Sequence, residues 1–230
     1  MHSSALANGK RFFDSYVRDM SNVTVVDVGA QDVNGSLKSL VPANVKYIGV
    51  DFVPGRGVDV VLTDPYILPF DSESIDVIVC SSVLEHSEMF WLVFLEMLRI
   101  LKPGGLLYLN VPANGDFHQY PVDCWRFYPH SGKALVTWAK RSGYKPSLLE
   151  SYTSHQDGSH WNDFVGVFVK DEGQANQYPR RIIDTFKAFD NGLVHGSGAL
   201  QKHRAYPEDM RRQQTLSARI ARRISRLFGQ

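Results

Sequence analysis

The sequence predicts a doubly wound α/β fold: a mostly parallel seven-stranded sheet, an antiparallel last strand pair and a C-terminal helical extension. Short runs of β-branched residues are apolar at nearly every position, which is typical of parallel strands buried on both faces. Amphipathic segments at helical spacing alternate with these runs, which indicates strand–helix–strand crossovers. With 230 residues, 43% of them hydrophobic, the chain is long enough to bury one such core.

The first half of the chain supplies a leading helix and the first five strands. Residues 5–20 place aromatic side chains at helical spacing. The predicted strands follow as the apolar runs 23–28, 46–50, 58–62, 75–80 and 105–111. A helix is predicted over residues 89–101, because Lys102, Pro103 and two glycines follow it and do not continue a helix.

The end of the sheet is predicted to differ from its start. A helix over residues 131–142 ends at Gly143, and strands follow over residues 147–152 and 163–169. The connection between these strands has about ten residues, which is short for a helical crossover, so the pair is predicted to be antiparallel. One further helix is predicted near residues 181–189.

The chain divides into a globular domain over residues 1–171, an irregular or helical extension over 172–206, and a basic amphipathic helix over 207–230. Residues 1–200 carry five more acidic than basic residues, whereas residues 201–230 carry six more basic than acidic ones. A basic amphipathic helix suits either an anionic membrane surface or packing against the domain or a second subunit. The oligomeric state stays open.

Composition argues against several classes of protein. The acidic balance of the globular part argues against nucleic-acid binding, which needs a basic patch on the folded body. No run approaches 18 apolar residues, so no membrane span is expected. Cys80 and Cys124 are too few for a disulfide framework, and residues 1–4 do not begin a secretory signal. These features predict a cytoplasmic protein, peripheral at the inner membrane face if the tail binds lipid.

Small and acidic residues follow several predicted strands, at the edge where open parallel sheets bind ligands. Gly29 permits a tight turn after the first strand. Asp51 lies 22 residues after Gly29, the placement expected for a carboxylate that binds ribose hydroxyls. Asp64 is placed to accept from a base amine, and Phe52 to cover a base. These residues predict a nucleoside cofactor, and the missing G-x-G-x-x-G motif disfavours NAD and FAD.

The ordered motifs resemble the class I S-adenosylmethionine-dependent methyltransferases, the seven-stranded group. The matching stretches are VVDVGA (25–30), GVD (49–51), LPF (68–70), IDVIV (75–79), VLEH (83–86) and LKPGG (101–105). The resemblance implies S-adenosylmethionine as the cofactor. It departs from the family at Gln31, where many members have a second glycine.

The resemblance also implies where each residue would contact the cofactor. The methionine end would lie by Asp27, Gly29, Ala30 and Gln31, the ribose by Asp51, the adenine by Phe52, Asp64 and Pro65, and the sulfonium by Ser81 and Ser82. In the same way, His86 matches a family motif and is interpreted as shaping the turn into the next helix.

A segment dense in aromatic residues, 117–129, follows the fifth strand and carries His, Asp and Arg side chains. Such a mixture suits a sugar ring or a flat polar molecule. The candidate acceptor residues are Tyr120, Asp123, Trp125, Arg126, His155 and His160, with His118 as the candidate general base. Alternatively, the aromatics pin the segment to the core and Asp123 pairs with Arg126. No metal site is predicted.

The predicted function is methyl transfer from S-adenosylmethionine to a small-molecule, sugar or glycan acceptor, at an oxygen atom. One alternative is a lipid or quinone acceptor reached at a membrane through residues 207–230. The other is a protein that binds S-adenosylmethionine without turnover.

Overall fold

The computed structural model describes residues 2–156 and 160–205, together with residues 208, 210, 215–217 and 220. The strands are β1 (Thr24–Val28), β2 (Lys46–Asp51), β3 (Val60–Val61), β4 (Ile75–Ser81), β5 (Leu101–Pro112), β6 (Ser147–Ser154), β7 (Asp163–Val169) and β8 (Phe189–Val194). Within residues 2–156 and 160–205, the α-helices are α1 (Ser3–Phe12), α2 (Phe90–Ile100) and α3 (Ser131–Arg141).

Within the described residues, the strands form one eight-stranded sheet in the order β3-β2-β1-β4-β5-β7-β6-β8. Strands β1 to β5 are parallel, whereas β7 runs antiparallel to both β5 and β6. The predicted fold class, a mostly parallel sheet with an antiparallel end, is confirmed.

Strand β8 was not predicted, and it lies in the segment expected to be irregular or helical. It pairs antiparallel with β6. The helix predicted near residues 181–189 is wrong, since this stretch holds only a 3₁₀ turn at Ile182–Asp184 before β8 begins. The segment buries Phe189 and Leu193. Pairing with a strand that is distant in sequence decided its structure, and this pairing leaves no helical period in the sequence.

The two faces of the sheet bury separate apolar layers, because neighbouring residues of a strand point to opposite faces. Val26 packs in the layer that contains Phe94 of α2 and Leu135 of α3. Val25 packs in the opposite layer with Phe12 of α1. Helix α1 continues into a π-helical turn at Phe13–Val17. Together, these two elements match the predicted leading helix.

Glu150 of β6 ties the leading helix and the segment after β7 to the sheet. Its carboxylate is fully buried. Oε1 accepts hydrogen bonds from the Tyr16 hydroxyl at 2.6 Å and the Ile182 amide at 2.7 Å. Oε2 accepts from the Ile183 amide at 3.0 Å. One side chain therefore joins three parts of the chain.

The crossover from β1 to β2 contains a 3₁₀ turn, Leu37–Leu40, and no α-helix. Gly29 begins this connection with φ +82°, a conformation that a residue with a Cβ rarely adopts. The backbone therefore turns sharply at the end of β1, and the carboxyl ends of β1 and β2 border an open space.

In the described part of the chain, no helix is both long and apolar enough to cross a bilayer. The predicted amphipathic helix over residues 207–230 lies largely outside the described residues. Its contact with a membrane stays a prediction, as do the domain bounds.

Candidate functional site

A cavity of about 490 Å³ lies at the carboxyl ends of β1, β2 and β4, the edge where open α/β sheets bind ligands. Its size is within the usual range for small-molecule sites, roughly 300–1,000 Å³. The predicted site residues that line it are Gly29, Gln31, Asp51, Phe52, Pro65, Ser81, Ser82, His118 and Tyr120. The fold thus brings the two halves of the predicted site to one cavity.

Asp51, the last residue of β2, organises the wall of the cavity. Its Oδ1 accepts a hydrogen bond from the Val53 amide at 3.0 Å, and its Oδ2 accepts from the Gln31 amide at 3.2 Å. The carboxylate therefore holds the turns after β1 and β2 together. Each carboxylate oxygen has a second lone pair for a ligand hydroxyl.

Gln31 connects the turn after β1 to the aromatic segment after β5. The Tyr120 hydroxyl donates a 2.8 Å hydrogen bond to Oε1 of Gln31. Both residues line the cavity, so this hydrogen bond joins two parts of its wall. A glycine at position 31, common in the family that the sequence resembles, would not make this bond.

Two serines at the end of β4 form the floor. The Ser81 hydroxyl is buried and has no hydrogen-bond partner within the described chain. Ser82 has φ +58°, which is uncommon for a residue with a side chain. Strain and orphaned polar atoms cluster at binding sites, where a ligand completes the hydrogen bonds.

Three residues predicted for the cofactor do not line this cavity. Ala30 is buried beside it, and Asp64 turns its Oδ1 to the Tyr66 amide at 2.8 Å. Asp27 is buried within β1 and accepts a short hydrogen bond from the Tyr47 hydroxyl. Burial raises the pKa of Asp27 from 3.8 to about 7, and the nearby Asp51 carboxylate adds to the rise.

We expect Asp27 to make the stability of the fold fall as pH rises from about 4 to about 7. The unfolded carboxyl group loses its proton near its ordinary pKa of 3.8, whereas the folded one keeps it to about 7. The free energy of unfolding therefore falls as pH rises through this window, and above the window Asp27 changes it no further. The side chain of the Asp27→Asn variant does not titrate. Across this pH window, the stability of the variant relative to wild type should therefore rise by roughly 4 kcal/mol.

Urea unfolding of both proteins between pH 4.5 and pH 8 measures this difference. The exposed Asp19, paired with Arg180 at the surface, supplies the control variant Asp19→Asn. A stability difference between wild type and Asp27→Asn that is constant with pH would contradict the raised pKa.

The aromatic segment after β5 is organised around one ion pair. Arg126 donates to both carboxylate oxygens of Asp123, at 2.5 and 2.7 Å. Oδ2 of Asp123 also accepts from the backbone amide of His118 at 2.7 Å, and the Arg126 guanidinium holds the pKa of Asp123 low, at about 2. The pair predicted as the alternative is thus present, and it positions the His118 backbone at the cavity.

His86 reaches the cavity from the turn after β4. Its Nδ1 lies 2.5 Å from the Val122 carbonyl oxygen, and its ring meets the His118 ring edge-on, with centroids 4.9 Å apart. These contacts join the turn after β4 to the aromatic segment, and the His86 ring lines the cavity.

The remaining acceptor candidates lie elsewhere. Trp125 and Arg126 line a second, apolar cavity of about 630 Å³ between α2 and α3. His155 faces Asp190 at 3.3 Å, and the exposed His160 stacks against Trp161. Their roles in acceptor binding stay predictions.

Sequence comparisons show which proteins the chain is similar to. A family model described as a methyltransferase domain matches residues 7–109. The chain is 29% identical over 166 residues to an uncharacterized methyltransferase of Mycolicibacterium gilvum (strain PYR-GCK), with 64% of each chain covered. The matched part thus spans less than two thirds of that relative. These matches support the resemblance of the chain to the class I S-adenosylmethionine-dependent methyltransferases.

Solved structures share the fold of this chain. One is the 1,6-didemethyltoxoflavin-N1-methyltransferase of Burkholderia thailandensis, solved with 1,6-didemethyltoxoflavin and S-adenosylhomocysteine, at a TM-score of 0.57 and 12% identity. It aligns over 74% of this chain and 79% of its own. The YcgJ protein of Bacillus subtilis aligns over 75% of this chain and 100% of its own, at a TM-score of 0.52 and 13% identity. At such identities the likeness establishes the fold.

The cavity fits S-adenosylmethionine, the cofactor of the methyltransferases that the chain resembles. Asp51 places carboxylate oxygens, which accept hydrogen bonds from hydroxyl groups, at the cavity wall. Phe52, 48% exposed at the cavity wall, offers an apolar surface. The Ser81 hydroxyl, buried and unpartnered among the described residues, offers a polar contact.

Sequence reasoning missed several residues that line the cavity. They include His2, Val33, Asn34, Tyr66, Gln119 and Val122. Most lie in loops without a periodic pattern, so no feature of the sequence indicates that they lie at the site. Tyr66 and Gln119 directly follow the predicted site residues Pro65 and His118.

Proposed function

We propose that this chain transfers the methyl group of S-adenosylmethionine to a hydroxyl oxygen of a small-molecule, sugar or glycan acceptor. One observation carries the proposal: a single cavity joins the strand-end residues that suit the cofactor to His118 and Tyr120 of the aromatic segment. The chemistry needs this arrangement, since both reactants must meet in line in a water-poor space.

On the cofactor side, Asp51 would bind the ribose, Phe52 would cover the adenine, and Ser81 would contact the methionine end. When bound, S-adenosylmethionine would supply a methyl group on a positively charged sulfur. The carbon–sulfur bond would break as the oxygen–carbon bond forms, and the sulfur would leave as the neutral thioether of S-adenosylhomocysteine. The wall between Gln31 and Tyr120 would keep the acceptor oriented.

On the acceptor side, His118 is the candidate base for the hydroxyl proton. Its Nδ1 lies 3.1 Å from the Asp116 carbonyl oxygen. Donation to that carbonyl leaves Nε2 as the basic nitrogen, because a neutral imidazole carries one N–H and one acceptor. Asp123 holds the backbone of His118 and acts as a positioning residue.

A lipid or quinone acceptor is the second candidate. The second cavity, lined by Phe90, Trp91 and Trp125 and also by Arg126, favours it, because aromatic walls suit a prenyl or acyl chain. This cavity shares residues 125–127 with the aromatic segment.

Calorimetric titration with S-adenosylmethionine, S-adenosylhomocysteine and NADH tests the cofactor side. We expect the first two to bind and NADH not to bind. Asp51→Ala should weaken binding by about 10- to 100-fold, because hydrogen bonds to a charged group contribute about 1.5–3 kcal/mol. Asp19→Ala, which removes an exposed aspartate, is the matched control and should bind as wild type does.

A methyl-transfer screen with sugars, glycan fragments and quinols then tests the acceptor. Transfer to a sugar hydroxyl supports the proposal, and transfer only to quinols or lipids supports the second candidate. Cofactor binding without transfer to any acceptor would favour a binding protein. Failure of both S-adenosylmethionine and S-adenosylhomocysteine to bind would overturn the proposal.

A further inference from the structure

We propose that Glu85, His86 and His118 bind a divalent metal ion, Zn²⁺ by the chemistry of their donor atoms, at the wall of the cavity. The role given to the ion rests on the proposed methyl transfer, whereas its binding does not. No metal was predicted from the sequence, because His118 is far from Glu85 and His86 along the chain and meets them only in the fold.

The three side chains converge. One potential ligand atom from each lies within 4.8 Å of those of the other two. Glu85 and His86 belong to one 3₁₀ turn, Leu84–His86, and His118 comes from the segment after β5. His86 and His118 also line the cavity, so an ion held by the cluster is reachable from it.

Glu85 is the observation that points to a ligand. Only 1% of the residue is exposed, and Oε2 makes no hydrogen bond within the described residues. Its Oε1 lies 3.8 Å from Nε2 of His86, which is beyond hydrogen-bonding distance. A buried carboxyl oxygen without a partner is costly, and a metal ion would satisfy it.

The histidines have tautomers that suit metal binding. Nδ1 of His86 lies 2.5 Å from the Val122 carbonyl oxygen. Nδ1 of His118 lies 3.1 Å from the Asp116 carbonyl oxygen and 3.4 Å from Nη2 of Arg126. The carbonyl contacts are the shorter ones, and from them we assign the N–H of each ring to Nδ1. A histidine that binds a metal through one nitrogen commonly donates its other N–H to a carbonyl or carboxylate, which fixes the ring.

The Arg126 guanidinium near the cluster has a partner of its own. It forms a two-point ion pair with Asp123. Among the described residues no ion pair joins Arg126 to Glu85, so the Glu85 carboxyl group is left for a metal ion.

Two imidazoles and one carboxylate are donors that suit Zn²⁺ better than Mg²⁺ or Ca²⁺, which prefer oxygen ligands. Three protein ligands leave an open position, as in catalytic zinc sites. There the acceptor's hydroxyl oxygen would bind, and its lowered pKa would release the proton to water. His118 would then hold the ion instead of acting as the base.

Titration of the full chain with ZnCl₂ by calorimetry, with MgCl₂ and MnCl₂ for comparison, tests the site. We expect one Zn²⁺ per chain, with tighter binding than Mg²⁺. His118→Asn and Glu85→Gln should each weaken Zn²⁺ binding by about 100-fold, since even groups that only orient a ligand contribute 10- to 100-fold. His160→Asn removes an exposed histidine outside the cluster and should leave binding unchanged.

Each sample is also titrated with S-adenosylhomocysteine and followed by circular dichroism. Should buried Glu85→Gln misfold, the more exposed His118→Asn still tests the site. Loss of Zn²⁺ binding in His160→Asn to the same extent, or no stoichiometric binding in wild type, would overturn the metal site. If S-adenosylhomocysteine still binds in that case, the proposed function stands, and if it does not bind, the function fails whatever Zn²⁺ does.

Discussion

Replacing Glu150 with leucine is expected to destabilise the fold by roughly 3–5 kcal/mol, because three buried donors lose their acceptor. Leucine matches the volume but accepts no hydrogen bond. The Tyr16 hydroxyl and the amides of Ile182 and Ile183 would then be buried without an acceptor. Each orphaned donor costs about 1–3 kcal/mol. The variant should also loosen the segment before β8, because this carboxylate anchors it.

Glu150→Gln is the matched control for the leucine variant. Its remaining oxygen still accepts from Tyr16 and Ile182, so only the bond from Ile183 is lost, and the loss should be about 1–3 kcal/mol. Urea unfolding followed by circular dichroism measures both variants, and hydrogen exchange at residues 182–194 reports the local effect. Equal stability of the leucine variant and wild type would show that Glu150 does not tie the three segments together.

Gly29→Ala is expected to cost about 2–5 kcal/mol and to abolish binding of the cofactor at ordinary concentrations. A Cβ at this position would overlap Cγ2 of Val83, and overpacking of this kind costs about 1–3 kcal/mol. The backbone at φ +82° adds about 1–2 kcal/mol for a residue with a side chain. Relief of the overlap requires the turn at the cavity to move.

Two further variants separate these causes. Gly143 has a similar φ of +91°, and a Cβ there would have nothing within 4 Å. Gly143→Ala should therefore lose only the stability that the backbone conformation accounts for. Adding Val83→Ala to Gly29→Ala removes the overlapping methyl group and should restore part of both stability and binding. Thermal unfolding and titration with S-adenosylhomocysteine measure the set. The overlap is not the cause if Gly29→Ala loses no more stability than Gly143→Ala does.

The residues of the site that lie at the strand ends could be predicted from the sequence, because each belongs to a short stretch next to a recognisable strand. Gly29, Asp51 and Ser81 each follow or end a strand whose apolar run is visible, and parallel strands bring their carboxyl ends to one edge. Asp27 and Asp64 satisfied the same pattern, yet one is buried against Tyr47 and the other turns to the Tyr66 amide. A sequence pattern gives a position on an element, but not the direction or the partner of the side chain.

By itself, the sequence determined the alternation of strands and helices, the antiparallel end of the sheet, and the resemblance to a methyltransferase family with the cofactor that it implies. These follow from periodicity and from motifs confined to short stretches, where neighbouring residues act through the same backbone. The tertiary structure alone decided strand β8, the bond between Gln31 and Tyr120, and the meeting of Glu85 and His86 with His118. Each joins residues far apart in the chain, and their contact depends on how the whole sheet packs, which no local pattern encodes.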